Sequence, residues 1–161
     1  MPAPQAPAPV PVPAAAPTIT NAGTKPATPH KLFVNIPVGD LQRSIVFFEA
    51  LGFSFNQHFT DATATCMLVG EDAYFMLMTK ERFTDFSERP MGDPRTETNA
   101  LFALSVNSRA EVDEMVNKAI AAGGSHAVKP QDHGFMYGWS FRDLDAHHWE
   151  VFWMDPSAIP G

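Results

Sequence analysis

With a single cysteine, Cys66, this 161-residue chain cannot form an intrachain disulfide, and packing rather than cross-linking must hold it together. That agrees with a reducing compartment, and the cytoplasm is the expected location. Cys66 lies between Thr65 and Met67 in a strand-like run, which suits a buried small hydrophobe better than a nucleophile. Long apolar runs are missing too. The longest are a handful of residues, far short of the ~20 that span a bilayer, so no membrane partner is expected. Basic residues are scarce: 11 Lys and Arg against 18 Asp and Glu give a formal charge of -7. Nucleic acid is gripped through a basic face that releases counterions, and this balance disfavours such a partner.

Charge is almost absent from residues 1–29, where Lys25 stands alone among Pro and Ala. Such a segment buries too little apolar surface to offset the entropy of ordering and reads as a Pro-rich extended or disordered arm. Prolines interrupt its apolar runs and no basic residue precedes Lys25, a pattern unlike a secretory signal.

The remaining residues, 30–161, have the composition of one α+β domain. Leu32–Val38 alternates as a strand and runs into Asp40, a helix cap. Leu41, Ile45, Phe48 and Leu51 then recur at helical spacing until Gly52 supplies a left-handed stop. Strands are expected at 53–60, 63–69 and Ala73–Thr79. The order then repeats. A strand at 100–106 precedes the capping box Ser108-Arg109-Ala110-Glu111. A helix with the stripe Val112, Met115, Val116, Ala119 and Ile120 follows, ended by Gly123-Gly124, with strands at 125–129, 135–141 and His148–Met154. Two tandem βαβββ modules result, one at 31–79 and one at 100–155, forming an open cup-shaped mixed sheet. Residues 80–99 join them, either as a plain crossover or, given Phe83, Phe86 and Met91, as a lid over a pocket.

Val38-Gly39-Asp40-Leu41-Gln42-Arg43-Ser44, then Phe47-Phe48 and Leu51-Gly52-Phe53, resemble the vicinal oxygen chelate superfamily, which includes glyoxalases, extradiol dioxygenases, fosfomycin-modifying enzymes and bleomycin-binding proteins. The segment Asp143-Leu144-Asp145-Ala146-His147-His148-Trp149-Glu150-Val151 is similar to that family's final hairpin, with Ala146 where Gly is usual. The resemblance covers nearly all of 31–155. It implies four metal-ligand positions, which fall on Phe33, Leu77, Leu101 and Glu150. One carboxylate among apolar side chains cannot hold a divalent ion, which needs several O, N or S donors at about 2.0–2.5 Å. No cofactor is therefore expected, and a divalent metal at Glu150 is the minority reading.

Strand alternation spreads the predicted lining to Asn35, Phe75, Ala103, His148 and Phe152, with Tyr137 on the penultimate strand. The expected partner is a small, partly apolar organic ligand. Glu150 and His148 are the catalytic candidates: a carboxylate beside an imidazole suits a general base on a carbon acid, or an anchor for a cationic or hydroxylated ligand. The competing reading is a carboxylate hydrogen-bonded within the sheet. His147 is read as a solvent-facing turn residue. The resemblance leaves open a metal-dependent lyase or isomerase of the lactoylglutathione lyase kind, an extradiol dioxygenase, or a drug-sequestering or regulatory binding protein. It also admits a homodimer.

Overall fold

The structure, a computed structural model, describes Met1 and residues 7–158. Residues 2–6 of the expected arm and 159–161 at the end of the expected domain lie outside the described residues. Residues 7–31 carry no helix or strand.

The first module runs β1 (Leu32–Val38), α1 (Leu41–Ala50), β2 (Ser54–Asn56), β3 (Ala64–Leu68) and β4 (Ala73–Thr79). Asp40 caps α1 by accepting the Arg43 N–H at 3.0 Å, and Gly52 takes φ +100° just past its end. A short helix not anticipated from the sequence, α2 (Lys80–Thr84), follows β4 directly. The expected strand 53–60 is shorter than predicted, because Asn56 accepts the His58 N–H and turns residues 57–59 into a single 3₁₀ turn. The second module runs β5 (Leu101–Ser105), α3 (Arg109–Ala121), β6 (Ser125–His126), β7 (Gln131–Asp132), β8 (Met136–Arg142) and β9 (His148–Met154). Ser108 accepts the Glu111 N–H, and Glu111 in turn accepts the Asn107 N–H, so the capping box reaches one residue further back than its usual form.

Two open mixed sheets result, one from each module, as the expected α+β fold of tandem modules requires. Their orders are β1-β4-β3-β2 and β5-β9-β8-β6, with β7 also paired to β8. In each, the first strand is parallel to the last and the other pairs are antiparallel. Helices α1 and α3 share one core: Phe47 and Phe48 of α1, Val112, Val116 and Ala119 of α3, and Trp149 of β9. Trp149 ties the modules together, with ring centroids 5.3 Å from Phe48 and 4.7 Å from Phe75, both in the first module. Truncating such a side chain to Ala costs about 3–5 kcal/mol.

Strand register fixes which residues face away from this core. Phe75 and Leu77 lie opposite Val34 and Ile36 and are buried with them on the helix side, so they do not line the concave face as the sequence had suggested. That face carries Phe33, Asn35 and Pro37 of β1 beside Tyr74, Met76 and Met78 of β4. In the second sheet it carries Leu101, Ala103 and Ser105 beside His148, Glu150 and Phe152. Tyr137 also departs from expectation. It pairs with Trp153 on the helix side, and its hydroxyl donates to the Asp113 carboxylate on α3 at 2.6 Å.

Candidate functional site

The concave face is not uniformly open. After β4 the chain folds back, and α2 packs on β1 and β4. The segment that follows borders a half-open cavity of about 240 Å³ whose walls include Asn35, Pro37, Phe83, Met91, Phe102 and His148, together with the carboxylates of Asp93 and Glu97. Residues 80–99 both join the modules and border this cavity. Their apolar residues Phe83 and Met91 form part of its wall. Asn35 and His148 are the two sequence-predicted lining residues that reach it. Phe33, Leu101, Ala103, Glu150 and Phe152 lie on the same face but outside the cavity, with Phe33 49% and Leu101 57% exposed.

His148 is only 7% exposed, and its Nε2 lies 2.5 Å from Glu150 Oε1. An imidazole N–H donating to a carboxylate fixes the tautomer with the proton on Nε2. Among the described residues Nδ1 has no hydrogen-bond partner, and no fully buried side-chain nitrogen or oxygen is unsatisfied. Nδ1 is therefore reachable rather than sealed, on a residue that forms the cavity wall. With Nε2 donating to Glu150, Nδ1 is the ring atom that can accept from a hydroxyl or N–H, or act as a base toward an acidic C–H.

The hairpin turn before β9, which leads into His148, is held by its own hydrogen bonds. Asp143, buried, accepts N–H groups from Asp145 at 2.9 Å and His147 at 3.0 Å on one oxygen, and the Trp149 indole N–H at 2.9 Å on the other. Burial pushes its carboxyl pKa up, against the opposing pull of His147 and of these donors. His147 is not solvent-facing as expected. It is buried, and its Nε2 lies 2.7 Å from the Pro37 carbonyl of the first module. Nothing local in the sequence announces that contact, because Pro37 is 110 residues away. Ala146 sits in the same turn at φ +67°, a left-handed conformation that glycine adopts freely and alanine does not.

Register also bears on the metal positions that the resemblance implied. The β4 position shifts from Leu77 to its concave-face neighbours Met76 and Met78, and thioethers are poor donors for a hard cation. Phe33 and Leu101 supply no donor atom, which leaves Glu150 with His148. Among the described residues no three His, Cys, Asp or Glu side chains are grouped to hold an ion. The donor set does not fit the divalent metal centre usual for the fold. Cys66 is buried as expected, and burial pushes its thiol pKa up. No helix among the described residues is long and apolar enough to cross a membrane.

Paired βαβββ units around an open concave face are the architecture of the glyoxalase and dioxygenase proteins. The model of the Glyoxalase/Bleomycin resistance protein/Dioxygenase superfamily matches residues 31–151, and the chain belongs to that family. Among solved structures it is similar to hypothetical protein SA1046 from S. aureus, with 28% identity, 78% of this chain and 94% of that chain covered, and a TM-score of 0.67. A glyoxalase-related enzyme from Fulvimarina pelagi shares 17% identity over 75% of this chain and 85% of its own, at TM-score 0.65. The fosfomycin resistance protein FosX from Listeria monocytogenes shares 18% over 83% and 98%, at TM-score 0.56. The last two likenesses are of fold alone. No curated protein sequence matches the chain.

Proposed function

We propose that this protein binds a small, partly apolar organic molecule in the cavity beneath residues 80–99, without the metal usual in its family, and that His148 is the principal polar contact. The observation that carries this reading is the orientation of His148, with Nε2 held by Glu150 and Nδ1 left available, on a wall that also carries Phe83, Met91 and Phe102. Small-molecule sites commonly combine such a wall with one or two fixed polar groups. Asn35 is the second polar side chain from the concave face.

The same pair supports a second reading, proton abstraction from a carbon acid. The base would be His148 Nδ1, and Glu150 would stabilise the imidazolium as it forms. In that case Glu150→Gln lowers turnover while leaving ligand affinity nearly unchanged. In a protein that only sequesters its ligand, no turnover appears in either form.

Phenol, a small aromatic hydroxyl, serves as a probe in an NMR titration. Saturable shifts at Phe83, Phe102 and His148 are expected. They should be insensitive to chelator and weakened about ten-fold by His148→Phe, the loss of one hydrogen bond. Shifts confined to other surfaces, or binding abolished by chelator, would overturn the proposal.

A further inference from the structure

The cavity at His148 is bordered by the carboxylates of Asp93 and Glu97 and by no Lys or Arg among the described residues. The neighbouring cavity sets Lys80 and Arg95 against Asp93 and Asp145, so its charges balance. Asp93 is partly engaged there: it accepts the Arg95 N–H at 3.0 Å, and the Arg95 guanidinium lies 3.9 Å from it. Glu97 makes no ion pair among the described residues.

The neutral polar groups of the His148 cavity lean the same way. Asn35 donates its amide N–H to the Phe33 carbonyl at 3.3 Å, which leaves its Oδ1 without a partner among the described residues. His148, only 7% exposed, donates from Nε2 to Glu150 and keeps Nδ1 as an unpartnered acceptor. His147 commits its own Nε2 to the Pro37 carbonyl. Thr98 and Asn99 bring donors and acceptors alike. The balance of the wall is toward accepting, and the rings of Phe83 and Phe102 add faces that attract a cation.

We infer that the ligand is an amine whose ammonium group donates to His148 Nδ1 and is attracted by Glu97 and Asp93, with its apolar part against Phe83 and Phe102. This rests on the binding reading above and specifies the chemical class of the ligand. An anion in the same place would meet two carboxylates and no basic side chain on that wall. The formal charge of -7 favours the approach of a cation over the whole surface as well.

Benzylamine, a cation near neutral pH, benzyl alcohol, its uncharged counterpart, and benzoate, titrated separately at low salt with His148 followed by NMR, test the inference. Benzylamine should bind about five-fold more tightly than benzyl alcohol, as expected for exposed charge contacts, and benzoate more weakly than either. The preference for benzylamine should shrink as ionic strength rises past about 0.15 M. The double variant Asp93→Asn, Glu97→Gln removes both charges while Asn can still accept the Arg95 N–H, and it should bring the ratio close to one. A parent ratio near one, tightest binding by benzoate, or a ratio unchanged in the variant overturns the inference. If benzyl alcohol still shifts His148 in those cases, the cavity reading survives. Absence of a His148 shift with all three probes instead sinks the cavity reading, and this inference with it. Melting temperature checks the fold of the double variant; should it fail to fold, the single variant Glu97→Gln carries the same comparison and must lower the ratio.

Discussion

Asp145 accepts the backbone N–H of Gly39 at 2.7 Å across a sequence separation of 106 residues, so the turn ahead of β9 is bound to the turn that leaves β1. Together with His147 on the Pro37 carbonyl, this contact joins the two modules at the edge of the candidate site. Asp145→Ala should cost about 1 kcal/mol of stability, the typical net worth of one hydrogen bond, measured as a shift in denaturation midpoint. A variant as stable as the parent would show that Trp149 and its neighbours hold the modules together unaided.

Ala146 predicts a change in the opposite direction. Its φ of +67° strains a residue that has a Cβ. Ala146→Gly removes that strain but gives the unfolded chain more freedom, so the net gain should be about 0.5–1 kcal/mol. Urea denaturation decides it, and a loss of stability would contradict the assigned turn.

Much of this arrangement was legible in the residues. Asp40 and Gly52 mark the ends of α1 through local chemistry, the Ser108 box opens α3, and the repeat of the same order gave the two modules. The phase of β4 was not legible. Ala73–Thr79 is apolar on both faces, so alternation offered no contrast to say whether Phe75 and Leu77 or Tyr74 and Met76 turn inward. Pairing with β1 settles the phase, and pairing is a long-range fact. Residues 80–99 could be read as a crossover or a lid, and Phe83 and Met91, two of the residues that suggested a lid, border a cavity that exists only once the chain folds back.

Tyr137 lies on the helix side, so removing its hydroxyl should affect stability and not binding. Its hydrogen bond to Asp113, reinforced by burial and by that residue's charge, pushes its pKa up to about 12. A raised phenol pKa stabilises the fold below the unfolded value of about 10, and that contribution is lost as pH climbs through about 12. Tyr137→Phe should cost about 1 kcal/mol near neutral pH, with phenol affinity unchanged. Phenolate absorbance of the parent should show one late-titrating tyrosine.

Acid should act through Asp132. Arg109 grips it with two N–H groups at 2.8 and 3.0 Å, and this hydrogen bonding, with the Gly134 N–H, lowers its carboxyl pKa to about 2. A depressed carboxylate stabilises above its unfolded pKa, and the benefit fades as pH falls from about 4 toward about 2. Over that window Asp132→Asn should show a shallower decline in stability than the parent. Parallel curves would place the pair outside the acid response.

The role of His148 is tested most directly by ¹⁵N NMR of its imidazole, recorded with and without saturating phenol in the presence of chelator. The account predicts the proton on Nε2, an Nδ1 resonance that moves on binding, and no dependence on added divalent metal. An unmoved Nδ1, or an imidazole that responds only when metal is supplied, would contradict it.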